Sequence, residues 1–198
     1  MKPAMQFLLY ALLAVFAENL VLEGGMGTGK ILRAARRPKQ LFLYGLLVSF
    51  FTLCSSFLSL LFKDAFLRSP AEFWLRPLVY AACAAAVYAL VAALLFYLLP
   101  AWYEKLGKLL SGAAINCVVL AVPFLAQAAR FNFFQTAGFA LGTGAGFMLA
   151  VWLTAEGLRR IDNVNMPKAF LGLPAIFLYL SILSMVFLGF TGGSMFGW

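Results

Sequence analysis

The sequence predicts an all-α polytopic membrane protein: six transmembrane helices arranged as two inverted three-helix repeats, with interrupted first and fourth helices. Three observations carry this. The chain of 198 residues is 64% hydrophobic and 11% charged, with a mean hydropathy of +0.95. Soluble domains run near 45–50% apolar and about 25% charged, so a single water-facing core cannot hide these side chains. Six apolar stretches are each long enough, at roughly 20 residues, to cross about 30 Å of hydrocarbon. Finally, the stretches recur in order at offsets of about 93 to 102 residues, and a tandem set of three spans must enter the bilayer from opposite sides.

The spans are read at about 5–23, 41–62, 76–99, 107–127, 134–155 and 171–191. Each must satisfy its own backbone hydrogen bonds in lipid, which favours helices over open strands. The first begins like a signal peptide, with Lys2 before an apolar core. Glu18 and Glu23 follow it where a small-residue cleavage pattern is required, so it is read as retained. The connections are too short for a soluble catalytic domain, and the chain is read as one membrane domain, 1–198, with repeats of about 1–100 and 101–198.

The net charge of +8 is a topology signal. Ten of the 15 basic residues fall in the 1–2, 3–4 and 5–6 connections, including Lys30, Arg33, Arg36, Arg37, Lys39, Lys105, Lys108, Arg159, Arg160 and Lys168. The positive-inside rule puts those loops in the cytoplasm and both termini outside. A nucleic-acid surface is not expected, because no aromatic residues interleave with the basic ones.

The repeat is visible at residue level where "ENLVLEGG" (18–25) aligns with "INCVVLAV" (115–122), placing Asn19 over Asn116. The stretch "GGMGTGK" beside it imitates a phosphate-binding loop from Gly24 to Lys30. Ile31 stands where that loop needs a Ser or Thr hydroxyl for magnesium, and the residues before it lack the short buried strand. No nucleotide is expected at Gly24–Lys30. The four glycines between Gly24 and Gly29 are instead expected to open the first helix, since each costs about 1 kcal/mol of helix stability against alanine. A cytoplasmic loop beginning at Gly24 is the alternative. The "SGAAINC" run before Pro123 is the matching interruption in the fourth span.

Cys54 and Cys83 sit in apolar helices without polar neighbours in sequence and are read as packing residues. Cys117 follows Asn116 at the centre of the interrupted fourth span. A lone cysteine cannot hold an iron–sulfur cluster, which needs four thiolates.

Several segments resemble one known family. "FAENLVL" with its glycine-rich break, "INCVVLAVPFL", "FFQTAGFALGTGAGFMLAVWLTAEGLRR" and "MPKAFLGLPAIFLYLSILSMVFLGFTG" resemble the membrane subunits shared by two respiratory pumps. These are the Rnf ferredoxin:NAD oxidoreductase and the Nqr sodium-translocating NADH:quinone oxidoreductase. The similarity covers nearly the whole chain and is thin in the second and third spans. Length and outward termini favour the type of the Rnf A subunit, equivalent to the Nqr E subunit.

The resemblance implies a membrane subunit of an ion-translocating electron-transport complex in a bacterial inner membrane, with no complete catalytic site of its own. It implies a homologous six-helix membrane subunit as partner, with further flavin and ferredoxin-type subunits. It also implies a [2Fe–2S] cluster shared between the two homologues, each supplying one cysteine from its first broken helix and one from its fourth. Cys117 matches the second of these ligands. The first is missing: counting from Asn19, the family glycine is kept as Gly27, but Gly29 stands where the family has cysteine. Three accounts follow, namely loss or alteration of the site, which is favoured, a thiolate from a partner, or another ligand such as Met26 or Thr28. Glu18, Asn19 and Asn116 are candidates for an ion path or a polar helix contact, because an acid within a membrane span marks one or the other. Glu23 has the further reading of an interfacial residue reaching water. The competing functional class is a divergent paralogue without a cluster, acting as a small-solute or ion carrier or as a structural scaffold.

Overall fold

The computed structural model describes residues 2–27, 29, 41–62, 72–161 and 172–191. Among the described residues all regular structure is helical. In chain order the helices are α1 (Pro3–Leu12), continued by a π turn over Leu13–Ala17, α2 (Leu41–Leu61), α3 (Glu72–Leu98), α4 (Pro100–Ala114), α5 (Cys117–Ala128), α6 (Phe133–Ile161) and α7 (Leu173–Thr191).

Three helices, within α2, α3 and α6, are long and apolar enough to cross a membrane alone. The α4–α5 pair, bent by 43° at its break, makes a fourth span if taken as one. The first helix with its π turn and α7 are apolar but shorter, so the described residues hold three to four candidate spans of the six that the sequence predicts. The first is short for a physical reason. Its 15 residues from Pro3 to Ala17 rise about 22 Å, less than the roughly 30 Å of hydrocarbon. The basic connections at 30–40 and 162–168 lie largely outside the described residues.

α6 is the centre of the fold. Gly138, Gly142 and Gly146 recur every fourth residue along one of its faces, where a side chain would collide with the backbone of Phe7, with that of Ala11, and with Asn19 and Ala14, respectively. The missing side chains let α1 lie directly on α6, the close approach by which small residues drive helix association in lipid. On other faces Gly144 meets Ser49 of α2, and Gly157 meets Tyr179 of α7. The buried core gathers Phe51 from α2, Val118, Val119 and Val122 from α5, Phe139, Phe147 and Val151 from α6, and Ile176 from α7. α3 carries Pro77 inside its first turns and leaves Leu78, Leu90, Phe96 and Tyr97 exposed.

Candidate functional site

The interruption predicted in the fourth span is present between α4 and α5, the first helix ends in turns whose continuation lies outside the described residues, and asparagine shapes each of these two breaks. The first differs in position from the expectation. The helix ends at Ala17, before any glycine, with the Glu18 amide donating to the Leu13 carbonyl at 2.8 Å to close the π turn. Asn19 then takes over. Its Oδ1 accepts from the amides of Val21 (3.1 Å) and Leu22 (3.3 Å). Its Nδ2 donates back to the Val15 carbonyl (2.9 Å) and across to the Gly146 carbonyl of α6 (3.3 Å). The side chain thus satisfies the amides after the break and a carbonyl before it, so the chain can leave the helix inside an apolar environment. The glycines act downstream: Gly25 and Gly27 take φ of 62° and 78° to turn the chain.

The second break repeats the device. α4 ends at Ala114, Ile115 and Asn116 leave the helical conformation, and Asn116 caps α5 by accepting from the Val118 amide at 3.4 Å. Tyr44 of α2 donates its hydroxyl to the Gly112 carbonyl at 2.9 Å, just before the break. Both asparagines are 1% exposed. The sequence overlay thus pairs two buried asparagines that each accept from the amide two residues on.

The two breaks also touch. A side chain at Gly27 would meet Asn116 Oδ1 at 2.9 Å and the Phe147 ring at 3.4 Å. Gly146, next to Phe147, carries the carbonyl that holds Asn19. One turn of α6 thus supports both interruptions. Sequence reading missed this role, although the spacing of Gly138, Gly142 and Gly146 signalled it; Tyr44, in an apolar run, gave no signal.

Cys117 is the first residue of α5 and is exposed, whereas Cys83 is buried and Cys54 half-buried. Ile115, Leu120 and Phe124 continue the exposed surface beside it. Gly29 is also exposed, with open space around the position a side chain would take. Among the described residues, no three His, Cys, Asp or Glu side chains converge on a point that could hold a metal. The donor set of this chain does not fit a complete four-thiolate cluster. Met26 follows the break and packs against the core. Thr28 lies outside the described residues, as does Lys30. Gly24 to Gly27 form turns that follow Asn19, with no strand before them.

The model of the Rnf-Nqr family, described as "Rnf-Nqr subunit, membrane protein", matches residues 7–193. The chain belongs to the Rnf-Nqr family. Two relatives match along nearly the whole chain. It is 28% identical over 179 residues to the A subunit of the Na(+)-translocating ferredoxin:NAD(+) oxidoreductase complex of Acetobacterium woodii, covering 90% of this chain and 93% of that one. It is 27% identical over 185 residues to the E subunit of the Na(+)-translocating NADH-quinone reductase of Neisseria meningitidis, covering 90% and 93%. A shorter match of 93 residues, 47% of this chain and 48% of the other, reaches 40% identity with the A subunit of the proton-translocating ferredoxin:NAD(+) oxidoreductase complex of Clostridium ljungdahlii. Both breaks of this Rnf-Nqr chain, and Cys117, lie inside the matched region.

Proposed function

We propose that this chain is a membrane subunit of an ion-translocating electron-transport complex of the Rnf/Nqr type, helping to pass electrons across a bacterial inner membrane coupled to Na+ or H+ transport. The observation that carries this is the pair of touching, asparagine-capped breaks, with Cys117 exposed at the mouth of the second. Relatives named as the A subunit of Rnf-type complexes and the E subunit of Nqr match along nearly the whole length. The chain works with a homologous six-helix partner and with flavin and ferredoxin-type subunits. It folds as two inverted three-helix repeats with both termini outside.

Cys117 is a surviving ligand of a [2Fe–2S] site altered in this chain by Gly29, and it faces the homologous partner. One thiolate from one chain cannot complete such a cluster, so the partner or a replacement ligand must supply the remainder. An exposed thiol at the start of a helix, beside backbone amides, suits a ligand at a shared interface better than a packing residue does.

The test is iron and acid-labile sulfide content, with electron paramagnetic resonance of the reduced sample, on the chain co-purified with its membrane partner. A [2Fe–2S] signal that disappears in Cys117→Ala supports the reading and opens the search for the ligand replacing Gly29. An intact pair without iron refutes the cluster and favours a carrier built on the same scaffold.

A further inference from the structure

The break after α1 holds one charge-bearing group whose presence the cap does not explain. Glu18 is 8% exposed, and its Oε2 is buried without a hydrogen-bond partner. It is the one carboxylate among the described buried residues. Closing the helix end does not need it, because Asn19 already supplies both the acceptor and the donor there. The buried hydroxyls of Thr52, Thr143 and Thr154 donate to carbonyls of their own helices, and the other described buried atoms without a partner, on Ser56, Asn116 and Thr136, belong to groups that carry no charge.

Nothing described on the surrounding elements neutralises Glu18. α1 and α7 contain no charged residue, and their titratable phenols are engaged elsewhere, Tyr10 against Phe131 and Tyr179 against Gly157. The charges of α6 lie in its last turns, where Arg159 and Arg160 pair with Glu156, well beyond Gly146. Glu23, five residues further on, carries the same sign. An ionised carboxylate cannot remain buried and unpaired, so it takes up a positive charge. The C-terminal end of a helix adds to the attraction, since its last carbonyls carry partial negative charge. In broken membrane helices, carbonyls at such ends are the groups that coordinate cations.

We propose that Glu18 and the end of the π turn form a monovalent-cation site inside the membrane, occupied by H+ or Na+. The site deepens the ion-translocating reading above, on which its place in a transport route rests. Occupancy of Glu18 itself is a property of this chain alone.

The experiment is infrared difference spectroscopy on the full chain, co-purified with its partner and reconstituted in lipid, across pH and across Na+ concentration. A protonated-carboxyl stretch lost in Glu18→Gln and retained in Glu23→Gln is expected. If the band falls with rising pH and ignores Na+, the cation is H+; if added Na+ removes it at constant pH, the cation is Na+. Superposable wild-type and Glu18→Gln spectra under every condition overturn the proposal. If Glu18→Gln does not assemble, 13C-glutamate labelling of the wild type replaces it, and a spectrum in which the label moves no protonated-carboxyl band has the same force. Absence of iron in the cluster assay leaves these outcomes unchanged, so the two readings fail separately.

Discussion

Asn19 and Asn116 occupy equivalent places in sequence, yet their replacement by leucine is expected to cost unequal amounts. Asn19 makes four hydrogen bonds, two accepted from backbone amides and two donated to carbonyls. Leucine fills a similar volume but leaves the amides of Val21 and Leu22 without that acceptor. A lost cap costs about 1–2 kcal/mol, and an interhelical hydrogen bond in a membrane protein about 0.6 kcal/mol. Together with the lost bond to Val15, near 1 kcal/mol, Asn19→Leu should destabilise by about 3 kcal/mol. Asn116 makes one long cap bond, at 3.4 Å, and its Nδ2 is without a partner. Asn116→Leu should therefore cost about 1 kcal/mol. Reversible unfolding in mixed lipid–detergent micelles, followed by helical circular dichroism, reads both, and Asn19→Ser should recover part of the loss. Equal effects of the two leucines, or an Asn19→Leu loss below about 0.5 kcal/mol, would refute the claim that Asn19 holds the first break in place.

Three further outcomes are expected. Gly142→Leu should prevent α1 from seating on α6, since Ala11's backbone occupies that space; the protein should be recovered in poor yield, while Gly189→Leu, with open space around it, should behave as wild type. Gly27→Ala should destabilise by about 1–3 kcal/mol because its φ is 78° and Asn116 blocks the added carbon, whereas Gly29→Cys should be accepted without loss of stability and should raise iron and sulfide content in the assembled pair. Cys117 should react with maleimide well before buried Cys83 in the solubilised chain, and assembly with the homologous partner should protect it; equal rates would remove Cys117 from the proposed interface.

Much of this arrangement was legible in the sequence, and the exceptions share a cause. Composition and segment length announce helices in lipid because the bilayer leaves few alternatives. The overlay of "ENLVL" on "INCVV" set Asn19 over Asn116, the two residues that shape the breaks, though the breaks themselves were read from the glycines and from the "SGAAINC" run. Placing the first break at the glycines was off by about two turns of helix, since the helix ends at Ala17. Propensity identifies residues that weaken a helix, but here the π turn and the Asn19 side chain ended it earlier, with help from Gly146 more than a hundred positions away. Cys117 was singled out by its neighbours, and its exposure agrees with a role outside the core. Contacts between distant segments, such as Tyr44 with Gly112, leave no trace in local pattern. The ridge on α6 was different: its regular glycine spacing is a readable sign of a close helix crossing, and only the identity of the crossing helix needed the structure.

The meeting of Gly27 with Asn116, of Asn19 with Gly146, and of Ser184 with the Leu22 carbonyl has a consequence for the history of such a chain. Every one of these contacts joins the first half to the second. What changes one break is felt at the other, so neither half can drift, shorten or be traded away alone, and a replacement at one interruption must be answered across the molecule.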